Sequence, residues 1–198
     1  MPNVEPLSRE ELAEFEPIFK LFEGAVGFVP RSTYTLGRRP DILRAFNGLV
    51  MSVFGPGEIE PTLKQLVAMV ASVAAGCRYC QAHTSASAAH FGVSAEKVAA
   101  VFDFETSDHF SDMERAALRF ARDAAVVPNA TTPAHFEELR KHFKETQIIE
   151  LTATISLMGW LNRWNDTMAT ELEDEPLAFA SKNLSSHGWE AGKHAGTP

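Results

Sequence analysis

Both cysteines of the chain lie in one short stretch, Gly76-Cys77-Arg78-Tyr79-Cys80-Gln81-Ala82-His83-Thr84. Two thiols separated by two residues suit two chemistries, reversible dithiol/disulfide exchange and metal binding. The working species in both is the thiolate, which needs a cation, a base or a helix N-terminus nearby. His83 follows Cys80 by three residues, so on a helix the two share a face. Tyr79 stands between the thiols, where it can donate a hydrogen bond or pack. A metal site would draw on Cys77, Cys80 and His83, with His90 a further turn or two along, and a tetrahedral ion would still lack an assigned fourth ligand. The bland alternative is two small buried thiols that fell together in a core. Because these are the only cysteines, adjacent and followed by histidine, the site reading is preferred.

The elements around the motif must then place it. Pro61 opens a helix with Leu63, Leu66, Val67, Val70 and Ala74 on one stripe. Gln65, Met69, Ser72 and Gly76 fall on a neighbouring stripe that leads towards the cysteines. On a straight helix Gln65 and Cys77 would stand roughly 18 Å apart. They share a site only if the chain reverses between them, and Gly76, after Ala74 and Ala75, is the place for that break. Cys77 then begins a second helix, ending at Gly92, whose positive N-terminal end favours a thiolate.

The remaining chain reads as helix after helix. Ser8-Arg9-Glu10-Glu11 is a capping box followed by Leu12, Phe15, Phe19 and Phe22, with a kink or break expected near Pro17. Pro40 begins a helix stopped by Gly55-Pro56-Gly57. Ser94, Ser111 with Glu114, and Thr132-Pro133 mark three more starts. A last long helix is expected from about Thr146 to Glu171. In it, an apolar stripe turns polar at Asn162 and Asn165, and Asn162, Arg163 and Asn165 either line a pocket or brace neighbouring backbone. No alternating β-branched strand survives, so the class is all-α, a multi-helix bundle with a helical hairpin carrying the CxxC motif. Residues 1–175 are expected to form one all-α domain with its core at about 40–168. Residues 176–198 form a C-terminal extension, with Trp189 docking it on its own or a partner subunit.

Composition limits the function. A chain of 198 residues with a formal charge of −8 does not offer the basic face that nucleic acid requires. Two cysteines make no disulfide scaffold, no basic-then-apolar leader opens the chain, and the uncharged run Gln65 to Cys77 is too short to cross a bilayer. A cytoplasmic protein without membrane or nucleic-acid partners is expected.

The stretch from Gly76 to Thr84, then Gly92-Val93-Ser94, resembles the core of the carboxymuconolactone decarboxylase superfamily. The similarity is closer to its alkyl hydroperoxidase D-like, peroxidase-related branch, which Phe110-Ser111-Asp112-Met113-Glu114-Arg115-Ala116-Ala117-Leu118 also resembles. The resemblance covers roughly residues 40–168. It implies an oxidoreductase, assembled as a dimer, trimer or hexamer, that reduces organic hydroperoxides through its cysteine pair with no metal, haem or other cofactor. Carried over by position, Cys80 matches the cysteine that attacks the peroxide and Cys77 the one that resolves it as a disulfide; an outside thiol or dithiol restores the pair. The family pattern has a histidine where this chain has Thr84, and His83 stands one residue earlier. It has a glutamate where this chain has Gln65, and glutamine holds a hydrogen bond but takes no proton. Replacing Gln65 by glutamate is therefore expected to raise turnover. Two further readings use the same residues: a disulfide reductase or redox sensor, and a non-catalytic helical assembly module that keeps the motif as a vestige.

Overall fold

In the computed structural model, which describes residues 2–196, every regular element is helical. The α-helices are α1 (Glu16–Val26), α2 (Ser32–Leu36), α3 (Pro40–Phe54), α4 (Pro61–Ala75), α5 (Arg78–His90), α6 (Ala95–Ala99), α7 (Asp112–Ala125), α8 (Pro133–Leu139), α9 (Glu145–Met168) and α10 (Asp174–Asn183). Short 3-10 turns precede α1, follow α6 and close the chain at Ser185–His187 and Gly192–His194. Met1, at the head of the expected domain, and Thr197 and Pro198, at the end of the expected extension, lie outside the described residues.

Proline and capping residues start most of these helices where they were expected. Pro40, Pro61 and Pro133 each occupy the first turn of a helix, where a missing N–H costs nothing and a fixed φ helps. Ser111 and Glu114 exchange side-chain and backbone hydrogen bonds at the start of α7. The first segment departs from the expectation. Ser8 and Glu11 do make capping-box hydrogen bonds, yet no helix follows directly. Pro17 has no N–H to give, and its ring would strike the carbonyl four residues back in a continuous helix. The chain runs through turns and a 3-10 stretch, Ala13–Phe15, and α1 begins at Glu16 with Pro17 in its first turn.

The reversal at Gly76 is present. α4 ends there with the glycine at φ +77, its N–H directed to the carbonyls of Ser72 and Val73. That left-handed geometry is what a residue without Cβ adopts cheaply. α5 starts two residues later, so α4 and α5 form a helical hairpin, and α4 also packs against α7 and α9. The main core fills the space between them, including Leu66, Met69, Leu118, Phe120 and Leu151. A second cluster of Leu12, Phe15, Phe19, Leu36 and Leu43 lies under the N-terminal helices, with Trp160 and Trp164 of α9 packed against it.

Two further features hold the hairpin in place. Buried Lys64 of α4 is ion-paired with Glu150 of α9 and donates to the carbonyls of Val53 (2.9 Å) and Gly55 (3.1 Å). The chain after α9 returns across the hairpin: α10 packs on α5, and buried Trp189 donates through Nε1 to the carbonyl of Arg78 at 3.2 Å. No helix among the described residues is long and apolar enough to cross a membrane.

Candidate active site

Both thiols are free and almost fully enclosed, Cys77 at 1% exposure and Cys80 at 2%. Cys77 is the N-cap of α5, and its Sγ accepts the backbone N–H of Cys80 at 3.3 Å. Its sulfur thus satisfies one of the orphan donors at the helix start, a geometry that suits negative charge on sulfur. The local sequence dictates this placement. Gly76 turns the chain, Cys77 is extended at φ −79 and ψ 103, and the helix begins at Arg78.

Cys80 sits one turn in. Burial pushes its thiol well above the ordinary range, and the neighbouring Cys77 pushes the same way by hydrogen bond and by charge; Asn165 opposes them. The Asn165 amide of α9 donates from Nδ2 to Cys80 Sγ at 3.6 Å. Sulfur hydrogen bonds are long and weak, but a donor facing a buried thiol favours the thiolate over the thiol.

His83 presents its Nε2 to a carboxylate. Its Nε2 lies 2.5 Å from Oε2 of Glu173, a residue ninety positions further along the chain. Its ring stacks on Tyr79, with centroids 4.1 Å apart, and Phe28 meets it edge-on at 5.2 Å. Glu173 is 9% exposed. Its other oxygen, Oε1, accepts the Tyr79 hydroxyl at 3.0 Å and the backbone N–H of Arg31 at 2.5 Å. Burial alone would raise the Glu173 carboxyl. The charge and hydrogen bond of His83, the Arg31 N–H and its own N–H outweigh burial, so it titrates below the usual carboxylate value. The Tyr79 hydroxyl goes the other way, held well above its ordinary value by burial first and then by the Glu173 and Cys80 charges.

The other sequence-selected residues are placed as follows. Thr84 turns its hydroxyl back into α5, donating to the carbonyl of Cys80 at 2.7 Å. Gln65 is buried on α4 at 8% exposure, and none of the hydrogen bonds to Cys80, His83 or Thr84 comes from it. Asn162 braces the hairpin, with Nδ2 3.5 Å from the carbonyl of Ala71. Arg163 is not brought to the thiols. It lines a cavity of about 460 Å³ with Phe120, Phe136 and Ile155, none of whose walls belongs to α5, and donates to the carbonyl of Gly159 at 3.1 Å. Among the described residues no group of three or more His, Cys, Asp or Glu side chains is arranged to hold a metal ion.

Sequence reasoning missed Glu173 altogether. Its only local signal is an acidic run, Glu171 to Glu175, that reads as a solvated helix start. Asn165 was noticed as an amide continuing an apolar stripe, the signal that does find it. The site has three layers: two thiols at a helix N-terminus, an amide on one of them, and a His–Glu pair with a tyrosine one turn along. Chemically it offers two free thiols that could be oxidised to a disulfide and an imidazole paired with a carboxylate.

Comparison with known proteins follows the same lines. The model of the Carboxymuconolactone decarboxylase family matches residues 40–123, which contain the hairpin and both thiols. An uncharacterized Escherichia coli protein, YnjA, is 34% identical over 110 residues, 56% of this chain; the match spans 60% of that protein's length. Among solved structures, a debrominase, Bmp8, bound to 2,3,4-tribromopyrrole is 38% identical with a TM-score of 0.86, over 91% of this chain and 96% of that one. An uncharacterized peroxidase-related protein from Ralstonia eutropha, described as an alkylhydroperoxidase AhpD core, superposes with a TM-score of 0.73 over 88% of this chain and 90% of its own. At 24% identity that likeness concerns the fold alone.

Proposed function

We propose that this chain, which belongs to the carboxymuconolactone decarboxylase family, is a thiol-dependent oxidoreductase that reduces organic hydroperoxides through a Cys77/Cys80 dithiol–disulfide cycle. The observation that carries the reading is the pair itself: two free thiols, both enclosed, one capping the helix whose first turn holds the other. Cys80, a protonated thiol at rest because burial and Cys77 hold its pKa high, gives up its proton as its sulfur, faced by the Asn165 amide, attacks the terminal oxygen of a hydroperoxide. The O–O bond breaks, the alkoxide leaves and takes a proton to become the alcohol, and the sulfur becomes a sulfenic acid. Cys77 then attacks that sulfur, the S–S bond forms, and the hydroxyl departs as water with one proton. Two electrons have left the thiols, and a small thiol or dithiol reductant returns them by exchange. Enclosure favours this cycle, since a neighbouring resolving thiol traps the sulfenic acid before a second peroxide reaches it.

A second reading is supported by the similarity to the debrominase, which extends over nearly the whole of both chains. The same dithiol would then reduce a carbon–bromine bond: an aryl bromide and two thiols give the arene, a disulfide, bromide and one proton. Both readings use one redox pair and differ in the acceptor. The experiment is turnover of reduced protein with cumene hydroperoxide and, separately, a polybrominated pyrrole, each recycled by dithiothreitol. Alcohol formed by the wild type and absent in Cys80→Ser supports the first reading. Bromide release without hydroperoxide turnover replaces it with the second, and disulfide exchange with neither acceptor leaves a reductase or redox sensor.

A further inference from the structure

Glu173 is a carboxylate placed where carboxylates are costly, and each of its oxygens is engaged. Oε2 meets His83 Nε2, while Oε1 receives the Tyr79 hydroxyl and the Arg31 N–H. The donors come from α5 and from the turn before α2, so the carboxylate joins three parts of the chain at the helix that carries the thiols. The backbone bearing it is fixed just as closely. α9 ends on Ala169 in the left-handed region at φ +50, uncommon for a residue with a Cβ. The Thr170 N–H returns to the carbonyl of Asn165 at 3.1 Å, and the Leu172 N–H donates to the carbonyl of His194 at 2.9 Å. The buried His194 ring, through Nδ1, lies 2.7 Å from the carbonyl of Thr170. A segment held only for packing has no need of an ionised group at its centre.

Resting on the dithiol reading above, we propose that Glu173 is the positioning carboxylate of this site. It holds the His83 imidazole by Nε2, so that Nδ1 is the nitrogen left to exchange protons with the leaving group and the thiols. Which ring nitrogen carries the proton is set by the hydrogen bond the other makes. A carboxylate on Nε2 fixes that proton there and steadies the imidazolium that forms when the ring takes a second one. Gln65 of α4 does not do this: the hydrogen bond to His83 comes from Glu173. The C-terminal segment Ala169–Gly196 is therefore a working part of the site.

The test is Glu173→Gln, which keeps the size of the side chain and can still accept from Tyr79 and Arg31, but cannot present a negative oxygen to His83. With cumene hydroperoxide and dithiothreitol, kcat should fall about 10²-fold or more, the range expected when acid–base help is lost. KM should change little, Glu173→Asp should recover part of kcat, and the loss of kcat should persist at temperatures where the variant is still fully folded. A second readout does not depend on turnover. The proton shared by His83 and Glu173 should give a low-field imidazole N–H resonance, present in wild type and in Cys80→Ser and absent in Glu173→Gln. Full kcat in Glu173→Gln overturns the proposal, as does a loss that simply follows the melting temperature and is no better in Glu173→Asp. If the wild type turns over neither hydroperoxide nor bromopyrrole, the reaction assigned above fails and the catalytic role of Glu173 falls with it. Full turnover in both wild type and Glu173→Gln overturns the positioning role alone.

Discussion

The α4–α5 hairpin and the segment Ala169–Gly196 meet at the start of α5 by opposite routes. The hairpin brings its chemistry with it: Gly76 turns the chain, Cys77 caps the new helix, and Cys80 and His83 follow at helical spacing. Everything it contributes is set within about a dozen residues. The C-terminal segment contributes one carboxylate and places it by contacts made across the whole chain: Arg31 from the N-terminal part, Tyr79 and His83 from α5, and His194 from its own far end. The first kind of construction sets two thiols at one helix start. The second pairs the imidazole of that helix with a carboxylate. The hairpin alone defines a dithiol, and the segment turns it into a site with a held imidazole.

The largest expected effect separates the two regions most sharply. Cys80→Ser should abolish reduction of any acceptor while leaving the fold intact, because serine differs from a buried cysteine by one atom and keeps the size of the side chain. Circular dichroism and an activity assay on the same sample check this. Trp189→Ala should come next. Removing a buried tryptophan costs about 3–5 kcal/mol, and here it also removes the hydrogen bond to Arg78 that ties the segment to the start of α5. We expect a large fall in melting temperature and in turnover, while the residual folded protein still forms the Cys77–Cys80 disulfide with a chemical oxidant such as diamide. Loss of disulfide formation in this variant would mean that the hairpin does not make the reactive pair by itself.

How much of this was legible beforehand follows the same division. The break at Gly76, the start of α4 at Pro61 and the Ser111–Glu114 cap are local devices, and each stands where the residues put it. The Ser8–Glu11 box was read as a helix start, and its hydrogen bonds exist; the helix itself waited for Pro17, whose missing N–H allows a first turn and forbids an interior one. Asn165 was visible as a polar residue on an apolar stripe, although nothing local said that it would face Cys80. Glu173 was invisible because its partners lie 90 and 142 positions away. No spacing rule reaches that far.

The third prediction revises an expectation drawn from the sequence. With His83 already held by Glu173, Gln65→Glu should not raise turnover. It should lower the melting temperature, since it places a carboxylate at a buried position of α4. A rise in kcat in this variant would return the proton-handling role to the hairpin and erase the contrast drawn above.

The smallest effect is on the acid side of stability. Burial, as the largest cause, lowers the pKa of His194 below its ordinary 6.5, against the Thr170 carbonyl and Asp166, which raise it. The unfolded chain therefore takes up a proton that the native fold resists, and stability should begin to fall as pH drops below about 6.5. Glu173, depressed below its usual value, adds a second loss only lower, as pH falls through the carboxylate range. Melting temperatures between pH 8 and pH 4 should show the first decline in wild type and a shallower one in His194→Gln. An identical slope in both would remove His194 from the account.

The central claim is that Cys77 and Cys80 act as one two-electron pair, and stoichiometry tests it most directly. Fully reduced protein is titrated with cumene hydroperoxide in the absence of any reductant, with alcohol and cysteine state followed together by mass analysis. The account predicts one alcohol per chain, with both thiols lost together as a single Cys77–Cys80 disulfide that dithiothreitol reverses. Thiols that survive excess peroxide, or a Cys80 driven to sulfinic or sulfonic acid while Cys77 stays reduced, would contradict it.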